Sequence, residues 1–399
     1  MLKEWDEIEL NEYSYVKGYP FKSEDYKKNG TRIIRVSDIG ENNLKNNAPV
    51  FISTKSKNKY NKWVVDTNNI IITTVGSKPP MYESIVGKSL RINNESTGML
   101  LNQNNVLIKV SDDDLSKLIY ENLKTNRYFK YITEIYRGNA NQASVNIKEL
   151  FKYKVLIPKS VDERHAIATS IYNIDQLIKS LQTLIDKKEK IKNGIMNCIF
   201  SSNSMHKEEL KNLTSMFSGG TPLTSNDEYY RHGNIKWLSI SDITNSGKYT
   251  NDTIVKITEN GLNNSSARLF KKGTLFFAMY ASIGKITIAT DNMSCSQAIL
   301  GLECENIDRD YLYHYLKYIN EKLKSIGQTG TQSNLSKEIV GKIQISVPND
   351  KLLESKIAST LNNFDNEIDA LNEKLSKYKN IKEGMMEDLL TGKVRLSYE

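Results

Sequence analysis

The residues of this chain that could carry out covalent or metal chemistry are few, and each candidate set fails on spacing. Pro348-Asn349-Asp350 followed by Glu354-Ser355-Lys356 has the acid, acid, lysine composition of a metal-dependent nuclease. Only three residues separate Asp350 from Glu354 at a predicted helix start, so nothing in the spacing brings both carboxylates to one metal ion. Gly87-Lys88-Ser89 resembles the end of a phosphate-binding loop, yet position 82 is Tyr where that loop needs Gly. Lys78-Pro79-Pro80-Met81 is a faint echo of the Asn/Asp-Pro-Pro-aromatic site of adenine methyltransferases. His165, His206, His232 and His314 stand apart from cysteine and carboxylate clusters, and Cys198, Cys295 and Cys304 form no CxxC pair. Neither a zinc site nor a disulfide framework is indicated. The expectation is a chain that is no enzyme by itself and has no metal or cofactor of its own.

A different chemistry is written into two polar segments, RGNANQASVN at 137–146 and GQTGTQSNLS at 327–336. Arg suits the acceptor edge of guanine, Asn and Gln the edge of adenine, and Ser or Thr either. The same residue types also make ordinary turns. Lys plus Arg is 55 against 47 for Asp plus Glu, a formal charge of +8, which fits a polyanionic partner and equally a solvated lysine-rich surface.

The elements that would hold these segments are set out by an internal repeat. Ile167-Ala168 recurs as Ile357-Ala358, and the same offset of 190 links Asp175 to Asp365, Ile178 to Ile368, Lys192 to Lys382 and Gly194 to Gly384. Upstream it links Gln142 to Gln332 and Pro158 to Pro348. The fronts of the halves match only in outline, through Arg35-Val36-Ser37-Asp38-Ile39 and Ser239-Ile240-Ser241-Asp242-Ile243, at an offset of 204. Each half thus has a variable front and a conserved-length distal part. With 399 residues the chain has room for two such globular fronts.

The distal parts read as helices. Ile178, Leu181, Ile185, Ile195 and Ile199 in the first copy, and Ile368, Leu371, Leu375, Met385 and Leu389 in the second, make one apolar stripe each, with Lys and Glu on the remaining faces. An antiparallel coiled coil joining the halves is expected, with helices packed on their own domains as the alternative. The fronts read as α/β (α+β), with strands at 70–73, 105–109, 154–158, 274–278, 285–290 and 343–348 and helical stretches at 113–132 and 309–326. The expected organisation is a globular domain over 1–158, a helical spacer over 159–205, a second globular domain over 206–348 and a second spacer over 349–399. The 26 residues from Asp175 to Phe200 would span about 39 Å at a rise of ~1.5 Å. One turn of DNA is about 34 Å.

Phe217-Ser218-Gly219-Gly220-Thr221-Pro222 followed by Ile235-Lys236-Trp237-Leu238-Ser239-Ile240-Ser241-Asp242-Ile243 resembles the DNA specificity subunits of type I restriction-modification enzymes. The Gly-Thr-Gln-Ser-Asn-Leu segment at 330–335, the strand ending in Val347-Pro348 and the end Met386-Glu387-Asp388-Leu389-Leu390-Thr391-Gly392-Lys393 extend the resemblance over the chain. The first half departs from the pattern, with Gly18-Tyr19-Pro20 where Gly-Gly-Thr-Pro would stand. The resemblance implies two target recognition domains alternating with two helical spacers, in a cytoplasmic, non-catalytic subunit. Implied partners are double-stranded DNA, two methyltransferase subunits carrying S-adenosylmethionine for adenine-N6 methylation, and two restriction subunits using ATP and Mg.

On this reading Lys78, Arg137, Arg268 and Lys285 hold phosphates. Asn141, Gln142, Gln332 and Asn334 discriminate bases. Tyr82 and Tyr280 either stack on a displaced base or pack internally. Arg35, Asn139, Ser144, Gly220, Thr221, Gln328, Thr331 and Ser333 complete the expected DNA-facing set. The competing reading is a scaffold whose coil and repeated domains bind protein.

Overall fold

The computed structural model describes residues 4–78, 86–139, 142–202, 204–280, 282–321, 323 and 335–396. The chain divides into two units, Met1–Gln182 with Lys374–Glu399, and Thr183–Glu373. These are called unit 1 and unit 2 below.

Unit 1 is built on a four-stranded antiparallel sheet in the order Tyr15–Lys17, Asn105–Ile108, Ile70–Thr73, Ser89–Arg91. Its central strands are buried at every position, and apolar except at Thr73 and Asn105, because both faces are covered. Ile70, Ile72, Val106 and Ile108 enter one core with the helix Asp113–Asn122, while Ile71 and Leu107 enter another with Ile34 and Leu101. A smaller sheet pairs Thr31–Ile34 antiparallel with Val50–Ile52 and parallel with Leu100–Leu101. A separate antiparallel pair joins Trp5–Glu9 to Lys154–Pro158.

Unit 2 repeats this plan strand for strand. Its main sheet runs Thr214–Ser218, Ile299–Cys304, Leu275–Ala278, Ile286–Ala289, with Tyr249–Thr250 added at the edge. Its smaller sheet pairs Ile235–Leu238 antiparallel with Val255–Ile257 and parallel with Ser294–Cys295. His206–Glu209 pairs with Gln344–Val347, as Trp5–Glu9 does with Lys154–Pro158. Alternation again divides a continuous apolar strand between two cores, Leu275 and Phe277 on one face, Phe276 and Ala278 on the other.

Two long helices, Val161–Phe200 and Lys351–Leu389, each contribute to both units. At ~1.5 Å per residue they are about 60 Å long. They begin soon after Pro158 and Pro348, and their first-turn amides are capped at positions again 190 apart: Ser160 Oγ accepts from Glu163 N (3.3 Å) and Asp350 Oδ1 from Leu352 N (2.8 Å). In unit 1 the start of the first helix lies beside the end of the second, and in unit 2 the end of the first lies beside the start of the second. Asp175 pairs with Lys382 (2.7 Å) in unit 1 and Asp365 with Lys192 in unit 2. Since Lys192 and Lys382, like Asp175 and Asp365, are 190 residues apart, the repeat places the same cross-helix ion pair twice, with the helices antiparallel.

The helical stretch expected over 113–132 is two helices, Asp113–Asn122 and Asn126–Ile135. The break comes from side chains that compete for backbone groups. Asn122 Nδ2 donates to Leu118 O (2.9 Å), and Thr125 Oγ1 accepts from Tyr128 N (3.3 Å), starting the second helix.

Candidate nucleic-acid interface

The polar segment after Arg137 forms a β-hairpin rather than a plain loop. Arg137–Asn139 pairs with Gln142–Ser144, which pairs in turn with Val75–Gly76. Strand alternation then sorts the side chains: Ala143 is buried while Arg137, Gln142 and Ser144 are exposed. Gly138 is required here, since it has φ +106° and an added Cβ would lie 2.3 Å from Gln142 O. Lys78 is exposed just beyond the strand that extends this sheet. Tyr82, Asn141 and the side chain of Asn139 lie outside the described residues, as do Gln328, Thr331, Gln332, Ser333 and Asn334.

Arg35 is placed in a structural role. Its guanidinium holds Asp38 through Nε (3.1 Å) and Nη2 (2.9 Å), and Nη2 also donates to Ala48 O (2.8 Å). Asp38 is buried, so this bidentate pair satisfies a carboxylate that would otherwise be costly to bury. The hydrogen bonds to Asp38 raise the guanidinium pKa further, against the opposing effect of burial.

The Gly219-Gly220-Thr221-Pro222 turn of unit 2 is a packing joint. Gly219 N donates to Ile299 O (3.1 Å), Gly220 N to Cys295 O (2.9 Å), and Trp237 Nε1 to Gly220 O (2.9 Å). A Cβ on Gly220 would meet the Ser266 and Ala267 backbone at 2.2–2.3 Å. Tyr230 OH closes the turn on Pro222 O (2.6 Å), and Thr221 stays half-buried. In unit 1 the same position holds Gly18-Tyr19-Pro20, where Tyr19 lies against Phe21, Tyr60 and Trp63 and the Trp63 indole donates to Lys17 O (3.0 Å). One tryptophan hydrogen bond to the turn thus serves both units, with different packing around it.

Beside the turn of unit 2, Arg268 is exposed and its guanidinium lies 3.5 Å from the centre of the Phe217 ring. Lys337, which the sequence reading passed over, approaches the same ring at 5.9 Å. Its signal was its position at the start of a short helix directly after the polar segment at 327–336. Two cations on one partly exposed aromatic ring keep positive charge at the surface with some of its orientation fixed. Lys285 is exposed in the turn before Ile286–Ala289, whereas Tyr280 packs partly buried against the main core of unit 2.

The helical seam has two parts. Leu181, Ile185, Ile368, Leu375 and Leu389 are buried, and Ile178, Ile195, Ile199, Leu371 and Met385 half-buried. Ile195 and Ile199 pack against the main core of unit 2, and Met385 and Leu389 join that of unit 1. The helix ends are therefore also roofs of the globular parts. Buried charge locks them there. In unit 1, Glu121, 2% exposed, receives Lys124 (3.4 Å) and Lys382 (3.3 Å). In unit 2, His314 Nε2 donates to Asn362 Oδ1 (2.8 Å), with Lys248 on Asp310 (2.9 Å) and on Asn362. Burial draws the His314 pKa down to about 4, and Lys192 and Lys248 act in the same direction.

The nuclease-like residues separate into structural duties: Asp350 caps its helix, and buried Glu354 accepts the Asp308 amide. Among the described residues no group of three His, Cys, Asp or Glu could hold a metal ion, and no helix is long and apolar enough to cross a membrane.

Residues 204–379 match the family described as Type I restriction modification DNA specificity domain. The MjaVIII specificity subunit of a type I restriction enzyme from Methanocaldococcus jannaschii is 24% identical over 438 residues, covering 99% of this chain and 94% of that protein. The type I restriction-modification S subunit from M. genitalium has the same fold, with TM-score 0.63 at 18% identity over 97% of this chain and 96% of that one. A chain from a structure of type I complex assembly and conformational transition gives TM-score 0.57 at 13% identity, covering 97% and 98%. The family match falls mainly on unit 2, and the strand-for-strand duplication carries the same plan into unit 1. The chain is thus similar over nearly its whole length to DNA specificity subunits of type I restriction-modification systems, and its residues 204–379 match the specificity domain of that family.

Proposed function

We propose that each unit reads one short block of a bipartite, asymmetric DNA site, and that the two long helices fix the gap between the blocks. The observation that carries this reading is the duplication itself: two units of one strand plan, with the cross-helix pairs Asp175–Lys382 and Lys192–Asp365 at equivalent positions. The fronts, 1–158 and 206–348, serve as target recognition domains, and 159–205 and 349–399 as spacers. Lys78, Arg137, Arg268 and Lys285 contact phosphates, and Gln142 and Ser144 on the exposed face of the hairpin read base edges. Asn139, Asn141, Gln328, Thr331, Gln332, Ser333 and Asn334 would add readout from the same two segments.

Two methyltransferase subunits, bringing S-adenosylmethionine, would dock on the helices and methylate one adenine N6 in each block. Flipping that adenine out of the stack needs a duplex gripped on both flanks. Restriction subunits with ATP and Mg would join the same complex and cleave. Docking on the helices is supported by Leu177, Leu184 and Ile191, which expose apolar side chains at seven-residue spacing.

The test is coexpression with a methyltransferase subunit of the same system and single-molecule mapping of methylated adenines across the host genome. The expected result is a split motif, two defined blocks around a fixed undefined gap, lost when this chain is deleted. Exchanging the hairpin around Gln142 should alter one block alone. A short continuous motif, or methylation that persists without the chain, refutes the reading.

A further inference from the structure

Between Glu41 and Asp66 the chain holds Lys45, Lys55, Lys57, Lys59 and Lys62 and no acidic residue. Four of these lysines fall in the segment Thr54–Trp63, of sequence TKSKNKYNKW, whose 3-10 turns meet at a kink at Tyr60. Fixed like charges this dense repel one another, and the side chains carry substantial rotamer freedom to lose on ordering. Among the described residues none of Lys55, Lys57, Lys59 and Lys62 has an acidic partner.

The segment is nevertheless fastened to the domain by its other face. Tyr60 is buried, three residues before Trp63, and both rings lie against Tyr19 of the Gly18-Tyr19-Pro20 turn, at 5.0 and 4.6 Å between centroids. Trp63 Nε1 donates to Lys17 O (3.0 Å). Lys57 is half-buried, while Lys55, Lys59 and Lys62 are exposed. An aromatic anchor below and cations without acidic partners above, Lys59 5.7 Å from the centre of the Tyr60 ring, hold positive charge toward solvent beside the turn that matches the family's Gly-Gly-Thr-Pro position.

At the matching place unit 2 has no lysine run, and its one cation there is Arg268 over the Phe217 ring. In unit 1 the segment follows Val50–Ile52, and in unit 2 the corresponding strand, Val255–Ile257, leads into Glu259–Asn263. From Thr258 to Phe270 that stretch, TENGLNNSSARLF, carries one Glu and one Arg, so its formal charge is zero.

We infer that Thr54–Trp63 is a phosphate-gripping element particular to unit 1, which binds the DNA backbone without regard to sequence through Lys55, Lys59 and Lys62. This rests on the reading of unit 1 as a DNA-binding domain and assigns the grip unequally between the units. Neutralising phosphates releases counterions, so each lost contact lowers the salt dependence of binding by about 0.9 in the slope of log K against log salt.

The experiment titrates the full chain with a mixed-sequence duplex over a range of salt, comparing wild type with Lys55→Gln/Lys59→Gln/Lys62→Gln. The slope should flatten by about 2 to 3, and the wild-type advantage should shrink about 40-fold between about 50 and 200 mM salt. The triple Lys→Arg variant should keep the wild-type slope. Lys256→Gln/Lys271→Gln/Lys272→Gln removes the same charge from unit 2 and should change the slope by less than half as much. Equal flattening by the two Gln triples would reduce the effect to net charge and overturn the assignment. A wild-type slope in the Thr54–Trp63 triple would overturn it while leaving the DNA-binding reading intact. Absence of salt-dependent binding by the wild type would overturn both.

Discussion

Acidification should weaken unit 2 through one histidine, and the size of the effect follows from its surroundings. His314 is fully buried on the helix Arg309–Tyr318, with Nε2 donating to Asn362 Oδ1 (2.8 Å) and Nδ1 3.8 Å from Asp365. The Asn362 oxygen also accepts from Lys248, so His314 supplies the proton and is held as the neutral Nε2–H tautomer. Burial opposes its protonation most strongly; in falling order, the Asn362 hydrogen bond then favours it, Lys192 opposes it, Asp365 favours it and Lys248 opposes it, leaving the pKa at about 4 from an ordinary 6.5. In the unfolded chain the imidazole takes up a proton below about pH 6.5, while in the folded unit it does so only near 4. The stabilisation is therefore complete above pH 6.5 and is lost as pH falls toward 4, to a total of about 3 kcal/mol. Carboxylates also titrate there, so the informative quantity is the difference between wild type and His314→Gln. Urea unfolding at pH 7 and pH 4.5 can be followed through Trp237, the tryptophan of unit 2, with Trp5 and Trp63 replaced by Phe. The wild type should lose about 2 to 3 kcal/mol more than His314→Gln between these pH values. Equal losses would show that His314 titrates normally and that the burial argument is wrong.

Removing Lys192 by Lys192→Met leaves Asp365 in a largely buried site and should cost about 2 to 4 kcal/mol, whereas Lys188→Met, which breaks the more exposed pair with Glu367, should cost under about 1; urea midpoints compare them. Gly220→Ala drives a methyl group into the Ser266–Ala267 backbone and should destabilise unit 2 by about 2 kcal/mol or more in the same assay, with Ser218→Ala on the exposed end of the strand close to neutral. Arg137→Gln should weaken binding to all duplexes similarly, while Gln142→Ala should cost about 1 to 3 kcal/mol on the cognate site and little on others, as read by competition titration. Adding seven residues to each long helix at matched positions should lengthen the gap in the methylated motif while leaving both blocks unchanged; an unchanged gap would end the ruler reading.

Several strands were legible from the sequence at nearly residue accuracy because they are buried on both faces. Ile70–Thr73 and Leu275–Ala278 are largely apolar and buried at every position, and they appear within a residue of where expected. The long helices were legible from period and repeat together. Asp175, Asp365, Lys192 and Lys382 could be aligned by counting, because a duplicated helix carries its spacing in the chain itself. Composition likewise pointed to the polar segments, since the residue types that pair with base edges are a local property.

What each of those residues does depended on the fold. Arg35 had the charge of a phosphate contact and a carboxylate three residues on, but only packing from the rest of the unit buries Asp38 and so makes it need the guanidinium. Gly220 stood in a turn that matched a family pattern, and only the Ser266–Ala267 backbone shows that it must lack a side chain. Lys55, Lys59 and Lys62 were visible as lysines and as nothing more until Tyr60 and Trp63 were seen anchored beneath them. Sequence alone determined the periodicities, the duplication and the charge, which are sums over neighbours along the chain. Tertiary structure decided burial, pairing and which face meets solvent, because these depend on residues tens to hundreds of positions away.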